Sequence, residues 1–231
     1  MKIQILQLID GAKKATGLTV IIDVFRAMTV EAHVINNGAS DLIPIGSIDD
    51  AYKYRNEHPG TILIGERGGK KCPGFDFGNS PSAVKDYDFT GKTVVHTTSA
   101  GTQGVANAKG ADEIIGGSLV TAKAIAKYIK EKNPEVVSLV CMGLAGEKET
   151  TEDTLCAEYI KYILENGSEA GFDMEAGIKK CAETDGAKFF DKNRQEVFPE
   201  EDFHMSVDAD RFDFVLKIEE GSDGFMHTRR A

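Results

Sequence analysis

Residues 18–25 read LTVIIDVF and residues 26–37 read RAMTVEAHVINN, and these two stretches together decide the fold. The first is a short run rich in Val and Ile that does not alternate with polar residues, as expected of a strand buried on both faces. The second continues as a helix and stops at Asn37–Gly38, where a glycine suits the left-handed residue that ends many helices. The couplet recurs along the chain. Asp41–Ile45, Thr61–Gly65, Thr93–Thr97, Glu113–Gly116 and Val136–Met142 read as further short strands. Ser47–Glu57, Ser118–Lys132 and Thr151–Glu165 read as helices among them. Such alternation predicts an α/β fold: a largely parallel or mixed sheet with helices on both faces. Past Gly167 the pattern weakens. Phe172–Ala182 reads as a helix, and Phe212–Ile218 (FDFVLKI) alternates in part, as a half-exposed or edge strand does. No repeat or linker divides the chain, so residues 1–231 read as one α/β unit, with lobes at about 1–110 and 111–231 left open.

The composition narrows the partners. Hydrophobic residues make up 41% and charged residues 28%, enough apolar material for an ordinary core. Twenty-seven basic residues stand against 37 acidic ones, a net charge of −10. That balance argues against nucleic acid or an anionic membrane as a partner, because their phosphates are repelled. The four cysteines (Cys72, Cys141, Cys156, Cys181) show neither CxxC pairing nor zinc-type spacing, which suits a reducing compartment. No apolar run approaches the roughly 18 residues of a membrane span. A cytoplasmic location is the expectation, and a homodimer is compatible with the chain.

In α/β sheets ligands bind beyond the carboxyl ends of the strands, so the residues that follow each apolar run carry the chemistry. Asp23 ends one run, and Arg26 follows it at a helix start. Phosphatases of the haloacid-dehalogenase type place a second acid two residues after the first, where this chain has Phe25. The stretch Gly65–Pro81 (GERGGKKCPGFDFGNSP) is the most unusual. Gly68 and Gly69 let the backbone approach a ligand closely, Arg67 offers a fork for an oxyanion, and Glu66 and Asp76 suit Mg²⁺. Asn79 precedes Ser80–Pro81, which reads as an N-cap and first helical position. Thr97, Thr98 and Ser99 line a hydroxyl-rich turn, with His96 before them read as a core histidine. Glu152 and Asp153 lie in the first turn of a helix, where they serve either the helix dipole or acid/base chemistry.

Taken together, DVFRAMT, GERGGKKCPGFDFGNSP, HTTSAGT and AGEKETTEDTLCAEY resemble the 2-phosphosulfolactate phosphatase family across residues of roughly 18 to 165. The resemblance implies an α/β fold and Mg²⁺-dependent hydrolysis of a small, multiply anionic phosphate ester to sulfolactate and phosphate, a step toward coenzyme M. It maps acidic and arginine positions onto Asp23, Arg26, Glu66, Arg67, Asp76, Glu152 and Asp153. Catalysis is accordingly expected of Asp23, Arg26, Arg67, Glu152 and Asp153. Substrate contact is expected of Gly68, Gly69, Asn79, Ser80, Thr97, Thr98 and Ser99, and metal binding of Glu66 and Asp76. Ala100 stands where the family usually has Asn, and Ala27–Met28 where Ala–Thr is usual, so another carboxylated phosphate ester is an alternative substrate. A non-catalytic anion-binding module is the alternative from a different class.

Overall fold

A computed structural model describes residues 1–231. Ten strands form one mixed sheet. In chain order they are β1 (Lys2–Gln7), β2 (Gly17–Ile22), β3 (Asp41–Pro44), β4 (Ile62–Arg67), β5 (Lys70–Lys71), β6 (Thr93–Thr97), β7 (Ala111–Gly117), β8 (Val136–Cys141), β9 (Leu216–Glu220) and β10 (Met226–Arg230). The helices are α1 (Leu8–Lys14), α2 (Ala27–Asn36), α3 (Ile48–Glu57), α4 (Pro81–Val84), α5 (Gly101–Asn107), α6 (Ala122–Lys132), α7 (Thr151–Asn166), α8 (Met174–Glu183) and α9 (Glu200–Ser206).

Two parallel blocks make up most of the sheet, β1-β8-β2-β7 and β3-β6-β4. The hairpin β9–β10 joins them, antiparallel to β7 on one side and to β3 on the other. The β10–β3 joint is a single residue pair, Thr228 with Leu42.

The Val/Ile run of β2 lies between two cores. Leu18, Val20 and Ile22 point into one, where Ile125 and Ile129 of α6 and Ile160 of α7 cover the sheet. Ile21 points into the other, among Val30 and Val34 of α2 and Val105 of α5. With apolar partners on both faces the strand has no polar side, which is why it does not alternate. A third cluster, with Ile43, Leu63 and Val95, lies under α3. No helix is long and apolar enough to cross a membrane.

Of the two readings of FDFVLKI, the half-exposed strand holds and the edge strand does not. β9 is not an edge but lies inside the sheet, hydrogen-bonded to a neighbour on each side. Leu216 and Ile218 are buried, whereas Lys217 and Glu219 face the less covered side. Alternation reports which side chains are covered and says nothing about whether the backbone has one neighbour or two. β1 was absent from the expected strands, because KIQILQ has the mixed composition of a partly covered edge.

Candidate active site

A cavity of about 400 Å³ opens where strand ends from both parallel blocks meet. Asp23 reaches it from the end of β2, Glu66 from β4, Thr98 from the end of β6 and Gly143 from the turn after β8.

Asp23 and Glu66 are the carboxylates on its wall. Asp23 accepts the N–H of Ala27 at 3.1 Å, which fixes it at the start of α2. Burial pushes its carboxyl up to about 6; the Ala27 N–H works against that shift, the charge of Glu66 adds to it, and His96 opposes it. Glu66 accepts Gly69 N–H on one oxygen (2.7 Å) and the N–H and hydroxyl of Ser99 on the other (3.1 and 2.9 Å). The glycine-rich turn and the hydroxyl-rich turn are thus tied together by one carboxylate. Gly68, Gly69, Asn79, Thr98 and Ser99 all reach the wall, but the amides of Gly69 and Ser99 are engaged by Glu66. Gly69 has φ +82°, and a Cβ there would fall 2.4 Å from Phe198, so only glycine fits.

Arg26 is buried against Asp202, which the sequence reading did not single out. Its Nη1 donates to Asp202 (2.7 Å) and to the Val197 carbonyl (3.0 Å), and Nη2 to the Gly69 carbonyl (3.3 Å). Three of the guanidinium's N–H donors are therefore fixed, and the remainder are left for a ligand. The other oxygen of Asp202 accepts both hydroxyls and a backbone N–H from Ser80 and Ser82.

Several expected residues lie elsewhere. Arg67 is not on the cavity wall: its guanidinium donates to the carbonyls of Glu66 (2.7 Å) and Gly46 (2.6 Å). Neighbours along a strand point to opposite faces, so a Glu66 that faces in turns Arg67 out. Asp76 accepts the N–H of Leu63 (2.8 Å) and faces Arg55 at 3.5 Å, near the amino end of β4. Leu63 and Glu66 are separated by roughly 10 Å of extended strand, so Asp76 does not share a metal with Glu66. Ser80 caps α4 beside an adjoining hollow, and Thr97 is buried behind the wall.

The Glu152–Asp153 pair is buried behind the cavity rather than on its wall. Asp153 accepts Val24 N–H and Gly143 N–H, both at 2.8 Å, and so clamps the ends of β2 and β8 together. Burial, then the charges of Glu152 and Asp23, push its carboxyl well above the usual range. Burial likewise pushes Glu152 up to about 7 despite the nearby charge of Lys188, and its Oε2 has no hydrogen-bond partner.

Beside Arg26, the cations on the wall that lack an acidic partner come from the weakly patterned C-terminal region. Lys188 sits with Nζ 5.4–5.8 Å from the ring centres of Phe25, Phe189 and Phe198. No carboxylate pairs with it, and burial lowers its pKa while the charge of Glu152 counters that fall. Arg194 lies over the Phe198 ring at 4.6 Å and also has no acidic partner. Their clustering with Phe189, Phe190 and Phe198 was the available signal, but no periodicity placed it in the fold.

Mg²⁺ takes hard oxygen donors, often one or two carboxylates with substrate oxygen and water completing the shell. No three His, Cys, Asp or Glu side chains cluster to hold an ion unaided. Asp23 and Glu66, whose mutual repulsion a divalent cation relieves, are a donor pair of the kind Mg²⁺ accepts.

The family profile described as 2-phosphosulpholactate phosphatase matches residues 3–221. A probable 2-phosphosulfolactate phosphatase of Caldicellulosiruptor saccharolyticus is 41% identical over 152 residues, 64% of this chain and 62% of that protein. The match to one from Thermotoga petrophila, 37% identical, likewise spans 64% of this chain and 63% of the relative. A third, from Clostridium perfringens, is 31% identical over 225 residues, 92% of this chain and 90% of the relative.

Proposed function

The chain belongs to the 2-phosphosulfolactate phosphatase family, and from that premise we propose that its cavity hydrolyses 2-phosphosulfolactate to sulfolactate and phosphate with Mg²⁺, a step of the kind that leads toward coenzyme M. The observation that carries the reading is a pairing of opposites: Asp23 and Glu66 share one cavity with Lys188 and Arg194, neither of which has an acidic partner of its own. Carboxylates alone repel an ester bearing phosphate, sulfonate and carboxylate. Unneutralised cations in the same cavity supply the attraction.

In this reading Asp23 and Glu66 hold the ion, which when bound neutralises phosphate charge and acts as a Lewis acid. Lys188, Arg194 and the free N–H groups of Arg26 orient the ester and stabilise charge on the transferring group, the main task in phosphoryl transfer. Asp202 keeps the Arg26 guanidinium in place. The rings of Phe25 and Phe198 exclude water around Lys188, which strengthens its field. The test is phosphate release from 2-phosphosulfolactate and from a generic aryl phosphate, each with Mg²⁺ and with chelator. Metal-dependent turnover of the first supports the proposal. Turnover of the aryl ester alone points to a different substrate, and turnover of neither points to an anion-binding module.

A further inference from the structure

A hydrogen-bonded relay runs from the core to the cavity wall. Glu31 of α2 meets His96 of β6, Oε1 to Nδ1, at 3.0 Å. His96 Nε2 meets Asn79 Oδ1 at 3.2 Å. Glu31 is 1% exposed, His96 0% and Asn79 6%, so solvent competes for none of these contacts. Asn79 lines both the main cavity and the adjoining hollow.

Glu31 has no other side-chain partner, and its Oε2 is buried and unsatisfied. A lone carboxylate buried in that position is strongly disfavoured unless a cation or a proton compensates it. An imidazolium between the two oxygens does so by donating from both nitrogens. A protonated Glu31 beside a neutral ring does so as well, and it too leaves the proton on Nε2. In either case Nε2–H donates to Asn79 Oδ1, which fixes the carboxamide with its NH₂ turned away from His96. No protein acceptor takes that NH₂ group. The opposite arrangement, with a bare Nε2 and a flipped amide, would point a carbonyl oxygen at a site built for anions.

We propose that Glu31 and His96 are positioning residues that hold Asn79 with its NH₂ toward the cavity, making it a neutral donor to a phosphate oxygen. The ester's identity rests on the proposed function; the amide's orientation does not.

The experiment uses the intact chain and inorganic phosphate as the probe. In ¹⁵N-histidine spectra between pH 6.5 and 8, His96 should show a protonated Nε2, assigned by its loss in His96→Gln. The Asn79 carboxamide signals should shift on phosphate addition. Asn79→Ala should weaken phosphate binding about tenfold, the loss of one good hydrogen bond. Glu31→Gln should weaken it by a similar factor and add nothing in the Asn79→Ala background. A bare Nε2 in the unaltered protein overturns the proposal, as do losses that multiply in the double variant. A structural role for Glu31 would lower thermal stability without that non-additivity. Absent ester turnover with an intact His96 signature would reject the phosphatase reading and leave this one standing.

Discussion

The cavity has two walls that differ in charge and in origin. Residues up to about 166, through α7, contribute Asp23 and Glu66, with Glu152 and Asp153 buried behind them. The region after it contributes Lys188, Arg194 and Phe198, and through Asp202 it also fixes Arg26. One region is acidic and rigidly clamped, with Asp153 tying β2 to β8 and Glu66 tying two turns. The other brings cations with no acidic partner. In the proposed function a multiply anionic ester would draw on both, the acids to hold a metal and the cations to meet the charge the metal leaves unneutralised.

Removing the acidic side should have the largest effect. Asp23→Asn keeps the shape and the Ala27 hydrogen bond, and kcat should fall about 1000-fold in a phosphate-release assay, the upper range for loss of one charge-stabilising group. Activity near that of the parent would remove Asp23 from the chemistry. Among the C-terminal lining residues, Lys188→Met preserves contact with the three rings and removes only the charge; kcat/KM should fall about 100-fold.

The buried acids can be separated from both walls by pH. Glu152 has its carboxyl pushed up to about 7 from 4.5, so the folded chain binds this proton more tightly than the unfolded chain. Its contribution to stability is complete below 4.5 and is lost as pH rises through 7. Glu152→Gln should therefore gain about 3 kcal/mol on the parent at pH 8 and almost nothing at pH 4, read by urea unfolding. An equal effect at both values would contradict the burial argument. The smallest change is expected at Arg67: Arg67→Ala should keep kcat/KM within about threefold, because its guanidinium is bound to backbone carbonyls off the wall. A large loss there would break the assignment of the cation role to the C-terminal wall.

The sequence made the parallel blocks legible, because strands such as β2 and β8 are covered on both faces and announce it as unbroken Val/Ile runs. It also located the loops of the acidic wall, since these follow those runs directly. It was silent on orientation. Glu66 and Arg67 are equally suited to an anion site on paper, and the strand's two-residue period alone separates them. Asp76 lies in the right loop but folds back to the wrong end of β4. Lys188 and Arg194 lie in a turn and an irregular stretch whose position depends on Phe189 and Phe198 packing against the core, a tertiary fact with no local pattern. β9 was visible as a strand, but its place inside the sheet comes from pairing partners more than 90 residues away in β7.

The division of labour between the walls is tested most directly by the ratio of kcat/KM on 2-phosphosulfolactate to that on an aryl phosphate, in the parent and in the Lys188→Met/Arg194→Ala double variant. In the proposed function the cations serve the additional acid groups of the substrate as well as its phosphate. The ratio should therefore fall at least about tenfold in the double variant. An unchanged ratio, whether both rates fall together or neither does, would contradict the assignment of substrate charge recognition to the C-terminal wall.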